Sequence, residues 1–133
     1  MEALKSYTDL VQSRTLAKIL PHDTADQTWE RIVIAGANLD VPEEKQYRHN
    51  GNMPFQIYSG IGIPCWSLSA LLELLPKRYN NDTVYIPLVG RYYEGNKFIC
   101  GYFGDGLLDW TFGETPVDAC VAMIEKLHEQ NLL

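Results

Sequence analysis

Two turn dipeptides, Gly95-Asn96 and Asp105-Gly106, constrain the stretch from Val84 to Phe112 more tightly than any other part of the chain. Each fits a two-residue hairpin turn. Closing both predicts one register. Tyr92 falls opposite Ile99, Gly90 opposite Gly101, and Leu88 opposite Phe103. Beyond the second turn, Phe103 meets Leu108, Gly101 meets Trp110, and Ile99 meets Phe112. Glu94 and Lys97 flank the first turn as a cross-strand ion pair. Strand side chains alternate, so these residues share a face, and that face carries no charge. A slip of one residue mixes the faces, which supports the register. The expectation is a three-stranded antiparallel meander over about 84–112. Pro87 lacks an N–H for the ladder, so the first strand is an edge there.

Helix signals surround the meander. Tyr7, Leu10, Val11, Ala17 and Leu20 predict a helix from about Thr8 to Leu20, stopped by Pro21. Ser67 is a good N-cap for a second helix, with Leu68, Leu71, Leu72 and Leu75 as its apolar stripe before Pro76. The third has Thr115 at the N-cap, Pro116 at the first position and Asp118 where an acid suits the dipole. Its apolar face runs through Val117, Cys120, Val121, Ile124, Leu127 and His128. Residues 24–34 carry two signals. Thr24 and Gln27 have capping-box spacing, which suits a short helix toward Ile32, whereas Thr28 to Ile34 is rich in strand formers, so helix and strand both stay open here. A helical turn passing into a strand satisfies both. Gly36 to Gly60 reads as an irregular or mobile segment, with a turn-like His49-Asn50-Gly51-Asn52 and a short strand at Phe55 to Ile57. Asn80-Asn81-Asp82 is a turn cluster. The whole reads as one α+β domain over 1–133, its N-terminal, middle and C-terminal helices packed on the uncharged sheet face.

The formal charge is −6, from 17 acidic and 11 basic residues, and no Lys/Arg cluster is present to track phosphates. Nucleic acid is therefore not the expected partner. No apolar run is long enough for a membrane span, and Met1 to Ser6 lacks signal-peptide character. Cys65, Cys100 and Cys120 are widely spaced and odd in number, which predicts reduced core thiols in a cytoplasmic protein.

Three segments are familiar as a set. They are Gln12-Ser13 with Leu20-Pro21-His22-Asp23-Thr24-Ala25-Asp26; Pro64-Cys65-Trp66-Ser67-Leu68-Ser69-Ala70-Leu71-Leu72 with Pro76; and Pro116-Val117-Asp118-Ala119-Cys120 running to Lys126-Leu127. Together they resemble a family of small uncharacterised proteins encoded by phages and mobile elements of gut bacteria. The resemblance implies an intracellular bacterial setting. It carries over no activity and no catalytic residue, and Gly36 to Gly60 has no counterpart in it.

The other face of the meander holds Val89, Arg91, Tyr93, Phe98, Cys100, Tyr102, Leu107, Asp109 and Thr111. In the derived register Arg91 lies opposite Cys100, Cys100 opposite Thr111, and Tyr102 between Val89 and Asp109. Tyr and Arg are interface-anchoring residue types, so Arg91, Tyr93, Phe98, Tyr102 and Asp109 form the candidate binding surface. Its partner is a protein or a second copy of the chain. The structural alternative is that other parts of the chain cover this face.

Cys65 is the best nucleophile candidate, because it precedes a helix start where a thiol pKa falls. It needs a His base, and His22, His49 and His128 are the choices. The strands from Val84 to Phe112 hold no His, and a Cys65 packed beside Trp66 is the structural reading. Thiol hydrolysis or transfer through Cys65 is thus the second hypothesis. An acidic decoy that blocks a DNA-binding protein is the third. His22, Asp23 and Asp26 are too weak a pattern for a metal site, since capping accounts for Asp23. Asp109 and Glu114 have no structural role in the sequence, yet two carboxylates name no reaction. Neither metal nor cofactor is expected.

Overall fold

The computed structural model describes residues 4–32, 42, 45–52, 62–77, 86–92, 94–104 and 106–133. Its elements are α1 (Leu10–Ala17), a 3₁₀ turn (His22–Thr24), β1 (Gln27–Arg31), β2 (Tyr47–Asn50), β3 (Gly62–Cys65), α2 (Leu68–Leu74), β4 (Ile86–Arg91), β5 (Phe98–Gly104), β6 (Gly106–Gly113) and α3 (Pro116–Glu129). The chain is α+β, with two three-stranded antiparallel sheets ordered β2-β1-β3 and β4-β5-β6. It divides into two compact units, Asp9–Trp66 and Met1–Thr8 with Ser67–Leu133.

In the first unit, Asp9 and Gln12 form a capping box that starts α1. The chain turns at Lys18 and Ile19 before Pro21. Of the two signals read in residues 24–34 the strand one holds: a 3₁₀ turn ends at Thr24, ahead of the expected helix start, and β1 begins at Gln27. The capping box read at Thr24 does not form. Thr24 Oγ1 donates to Pro21 O at 2.6 Å and accepts from Trp66 Nε1 at 2.9 Å. Gly36 to Gly60 is corrected in part, because Tyr47–Asn50 is a strand paired with β1. His49 and Asn50 belong to that strand, and the turn follows them, closed by Asn52 N–H on Asn50 Oδ1 at 2.9 Å. The expected strand at Phe55 to Ile57 and the Asn80-Asn81-Asp82 turn lie outside the described residues. The N-terminal helix packs on β3 of its own unit, with the Arg14 guanidinium 5.5 Å from the Tyr47 ring centre.

The second unit contains the predicted meander, and β4 is an edge as Pro87 requires. The second hairpin holds the derived register at Gly101 with Trp110 and Ile99 with Phe112. A bulge after Tyr102 then pairs Phe103 with Leu107 instead of Leu108. The first hairpin is shifted by two residues. Gly90 meets Ile99, Leu88 meets Gly101 and Ile86 meets Phe103. The physical reason is the turn, which is closed by Tyr92 N–H on Lys97 O at 2.9 Å and so is longer than two residues. Gly95 takes the left-handed conformation there, φ 70°. A two-residue shift preserves side-chain parity, so face membership is unchanged.

Thr115 Oγ1 accepts from Asp118 N at 3.1 Å and starts α3, while Ser67 Oγ accepts from Ala70 N at 3.1 Å and starts α2. α3 lies across β5 and β6 and packs against α2. It buries Val117, Cys120, Val121, Met123, Ile124 and Leu127, each large apolar side chain contributing roughly 1.5–3 kcal/mol. His128, expected on this apolar face, is exposed in the last turn. At Gly113 the end of β6 comes close against α3: a Cβ there would lie 2.7 Å from the Asp118 carbonyl carbon.

Candidate functional site

α3 covers the meander face that carries the polar groups. Thr111 Oγ1 donates to Ala119 O at 2.7 Å, and Lys126 Nζ donates to Asp109 Oδ1. Tyr102 Oη donates to Pro76 O at 2.7 Å. The sequence expectation is therefore inverted. The absence of charge was taken to mark the buried face, but Asp109, Thr111 and Tyr102 each bring a polar atom that finds a partner. A satisfied polar group is compatible with burial.

This changes the candidate surface. Phe98, Tyr102 and Asp109 are at most 8% exposed, all within the second unit's core. Arg91 is exposed, its guanidinium 4.9 Å from the Phe98 ring centre. Tyr93 lies outside the described residues. The register places Val89 opposite Cys100, Arg91 opposite Phe98, and Pro87 opposite Tyr102. Cys100 opposite Thr111 is as derived. Asp109 also has the structural role that the sequence did not reveal, since it accepts from both Lys126 and Trp110 N–H.

The opposite face is open. Ile86, Leu88, Trp110 and Phe112 lie on it and are 41–50% exposed. The register sets them in rows: Ile86 beside Phe103, Leu88 with Gly101 and Trp110, then Gly90 with Ile99 and Phe112. Tyr92 and Phe112 meet edge to face with ring centres 5.0 Å apart. Lys97 Nζ lies 5.8 Å from the Phe112 ring centre. A shallow groove runs along β4 past Leu88, Gly90, Tyr92, Ile99 and Phe103. A Cβ on Gly90 would meet nothing within 4 Å, so the space above this glycine is clear. Leu88, Gly90, Tyr92, Ile99, Gly101, Phe103, Trp110 and Phe112 belong to the derived uncharged set, the two-residue shift adds Ile86, and Lys97 brings a charge to the border that the set did not include. What the sequence did not show was which side the helix takes.

Cys65 ends β3 and is wholly buried. Pairing of Gln27 with Cys65 and Trp29 with His49 places all four on one face of the first sheet. Gln27 Oε1 accepts from His49 Nε2 at 2.6 Å, and Cys65 Sγ lies 4.0 Å from the same oxygen. Accepting is all an amide oxygen does, so Nε2 carries the proton and is not a base toward the thiol. Burial lowers the His49 pKa. His22 Nε2 bonds Ala17 O at 2.9 Å. Among the described residues, no three His, Cys, Asp or Glu side chains gather as a metal site. No described helix is long and apolar enough to cross a membrane.

The chain matches no family model, no curated protein and no solved structure.

Proposed function

We propose that the chain acts by binding another protein through the open face of β4–β6. One observation carries this reading: four large apolar side chains on a single sheet face stand 41–50% exposed, while the polar face of the same sheet is covered by α3. A contiguous apolar patch of this kind is a binding surface by default. Trp110, Tyr92 and Phe112 are the residue types that anchor such contacts. The resemblance in the sequence adds a setting, an accessory protein of a phage or mobile element in a bacterial cytoplasm. A largely apolar face bordered by the cationic Lys97 does not suit a DNA mimic, and a wholly buried Cys65 does not present a thiolate to a substrate.

The test is photo-crosslinking in cells from a light-activated residue placed at Leu88 or Trp110, with Glu129 and Asn131, at and just beyond the end of α3, as exposed positions away from this face. Discrete protein adducts from Leu88 and Trp110 alone, lost when Phe112→Glu is added, are expected. A second copy of the chain is one partner the adduct mass will identify. Equal labelling from all four positions, or none from the first two, sinks the reading.

A further inference from the structure

Cys100 and Cys120 are both wholly buried, in the central strand of the second sheet and in the helix across it. Both sit at the seam where α3 crosses β5 and β6. Thr111 pairs with Cys100 across the ladder, and its hydroxyl bonds the carbonyl of Ala119, the neighbour of Cys120. The two thiols lie within hydrogen-bonding reach, and this contact together with burial pushes the Cys120 pKa up. A valine or alanine at either position would fill a core site without sulfur chemistry.

We propose that Cys100 and Cys120 form a dithiol that closes to a disulfide by exchange with a small-molecule disulfide, thereby pinning α3 to β5. The step balances. One protein thiolate attacks a sulfur of the small disulfide, forming a mixed disulfide and releasing one small thiolate. The second protein thiolate then attacks the protein sulfur of that intermediate and releases the other. The two protein protons end on the two small thiols, the protein is oxidised by two electrons, and the small disulfide is reduced. In the closed fold the pair is shielded and protonated, so exchange proceeds through local opening at α3. The new bond closes a loop of roughly 20 residues, enough to restrict the unfolded chain appreciably. It leaves the open face of the meander untouched, so this proposal stands or falls independently of the binding reading.

The experiment incubates the full chain with excess oxidised glutathione, with and without urea below the unfolding transition, and maps thiols by peptide mass spectrometry. The expected result is a Cys100–Cys120 bond with Cys65 still free, formed faster in mild urea. The thermal midpoint should rise by several degrees and fall back with reductant. Cys100→Ser should show neither bond nor shift. Persistent glutathione adducts, a disulfide that includes Cys65, no bond under either condition, or a bond that lowers the midpoint would each overturn the proposal.

Discussion

Lys126 Nζ donates to Asp109 Oδ1 across the interface of α3 and β6, with the lysine stem partly in solvent and the carboxylate almost wholly shielded. The asymmetry predicts unequal mutants. Lys126→Met leaves a nearly buried carboxylate without its cation and should cost about 1–3 kcal/mol in urea unfolding, less than a deeply buried pair because Lys126 is partly hydrated. Asp109→Asn retains an acceptor for Trp110 N–H and should cost less. If the two substitutions cost the same, the carboxylate charge is not what Lys126 compensates.

The two faces of the meander should respond oppositely to truncation. Tyr102→Ala removes a buried ring and the hydroxyl bonded to Pro76 O, and should cost about 3–5 kcal/mol. Trp110→Ser, on the open face, should cost under about 1 kcal/mol. Thermal melts of the two variants decide the orientation of the sheet without further structural work. A Trp110 variant as unstable as the Tyr102 variant would mean that the open face is covered.

Gly90 provides a blocking substitution. Gly90→Val adds a β-branched side chain to a strand, where it is favoured, and into clear space. Stability should hold or rise. Any adduct formed through Leu88 in the crosslinking experiment should disappear. Gly113→Ala should do the reverse, costing about 1–3 kcal/mol, because α3 occupies the position of the new methyl group.

The meander and all three helices were legible, because caps, proline stops and period-two alternation are local signals, whereas the competing signals at residues 24–34 left helix and strand both open. The side on which α3 packs was not. That choice rests on pairings distant in sequence, Asp109 with Lys126, Thr111 with Ala119 O and Tyr102 with Pro76 O, and no local pattern reports a partner so remote. β2 was missed because four residues, Tyr47-Arg48-His49-Asn50, have no apolar alternation. They are held by β1 and by Glu30, whose carboxylate accepts from Asn50 Nδ2 at 2.7 Å and Arg48 Nε at 3.4 Å.

His49 links the first sheet to pH. Burial places its folded-state pKa below the ordinary 6.5, so the unfolded chain takes up the proton first as pH falls. Stability is therefore fully present above 6.5 and declines as pH drops through 6.5 toward the lowered folded value. The Gln27 bond survives protonation, since Nε2 remains a donor, so desolvation alone sets the effect. Urea unfolding of the wild type and of His49→Asn between pH 7 and 5 should diverge over this window. Parallel curves would show that His49 titrates alike in both states.

Cys65, being buried, should react with iodoacetamide far more slowly in the folded chain than in urea, a comparison read directly by mass spectrometry. Rapid labelling at neutral pH in the folded state would restore the thiol hypothesis.

The shift of the first hairpin by two residues has a hereditary corollary. A change that moves the β4–β5 ladder by an even step keeps every aromatic ring on its own side of the sheet. An odd step would exchange Leu88 and Val89, turning the sticky side inward and the helix seat outward. Re-pairing of this hairpin should therefore be tolerated only in even steps, so the parity of the register, more than the composition of the loop, is what descendants of this chain must preserve.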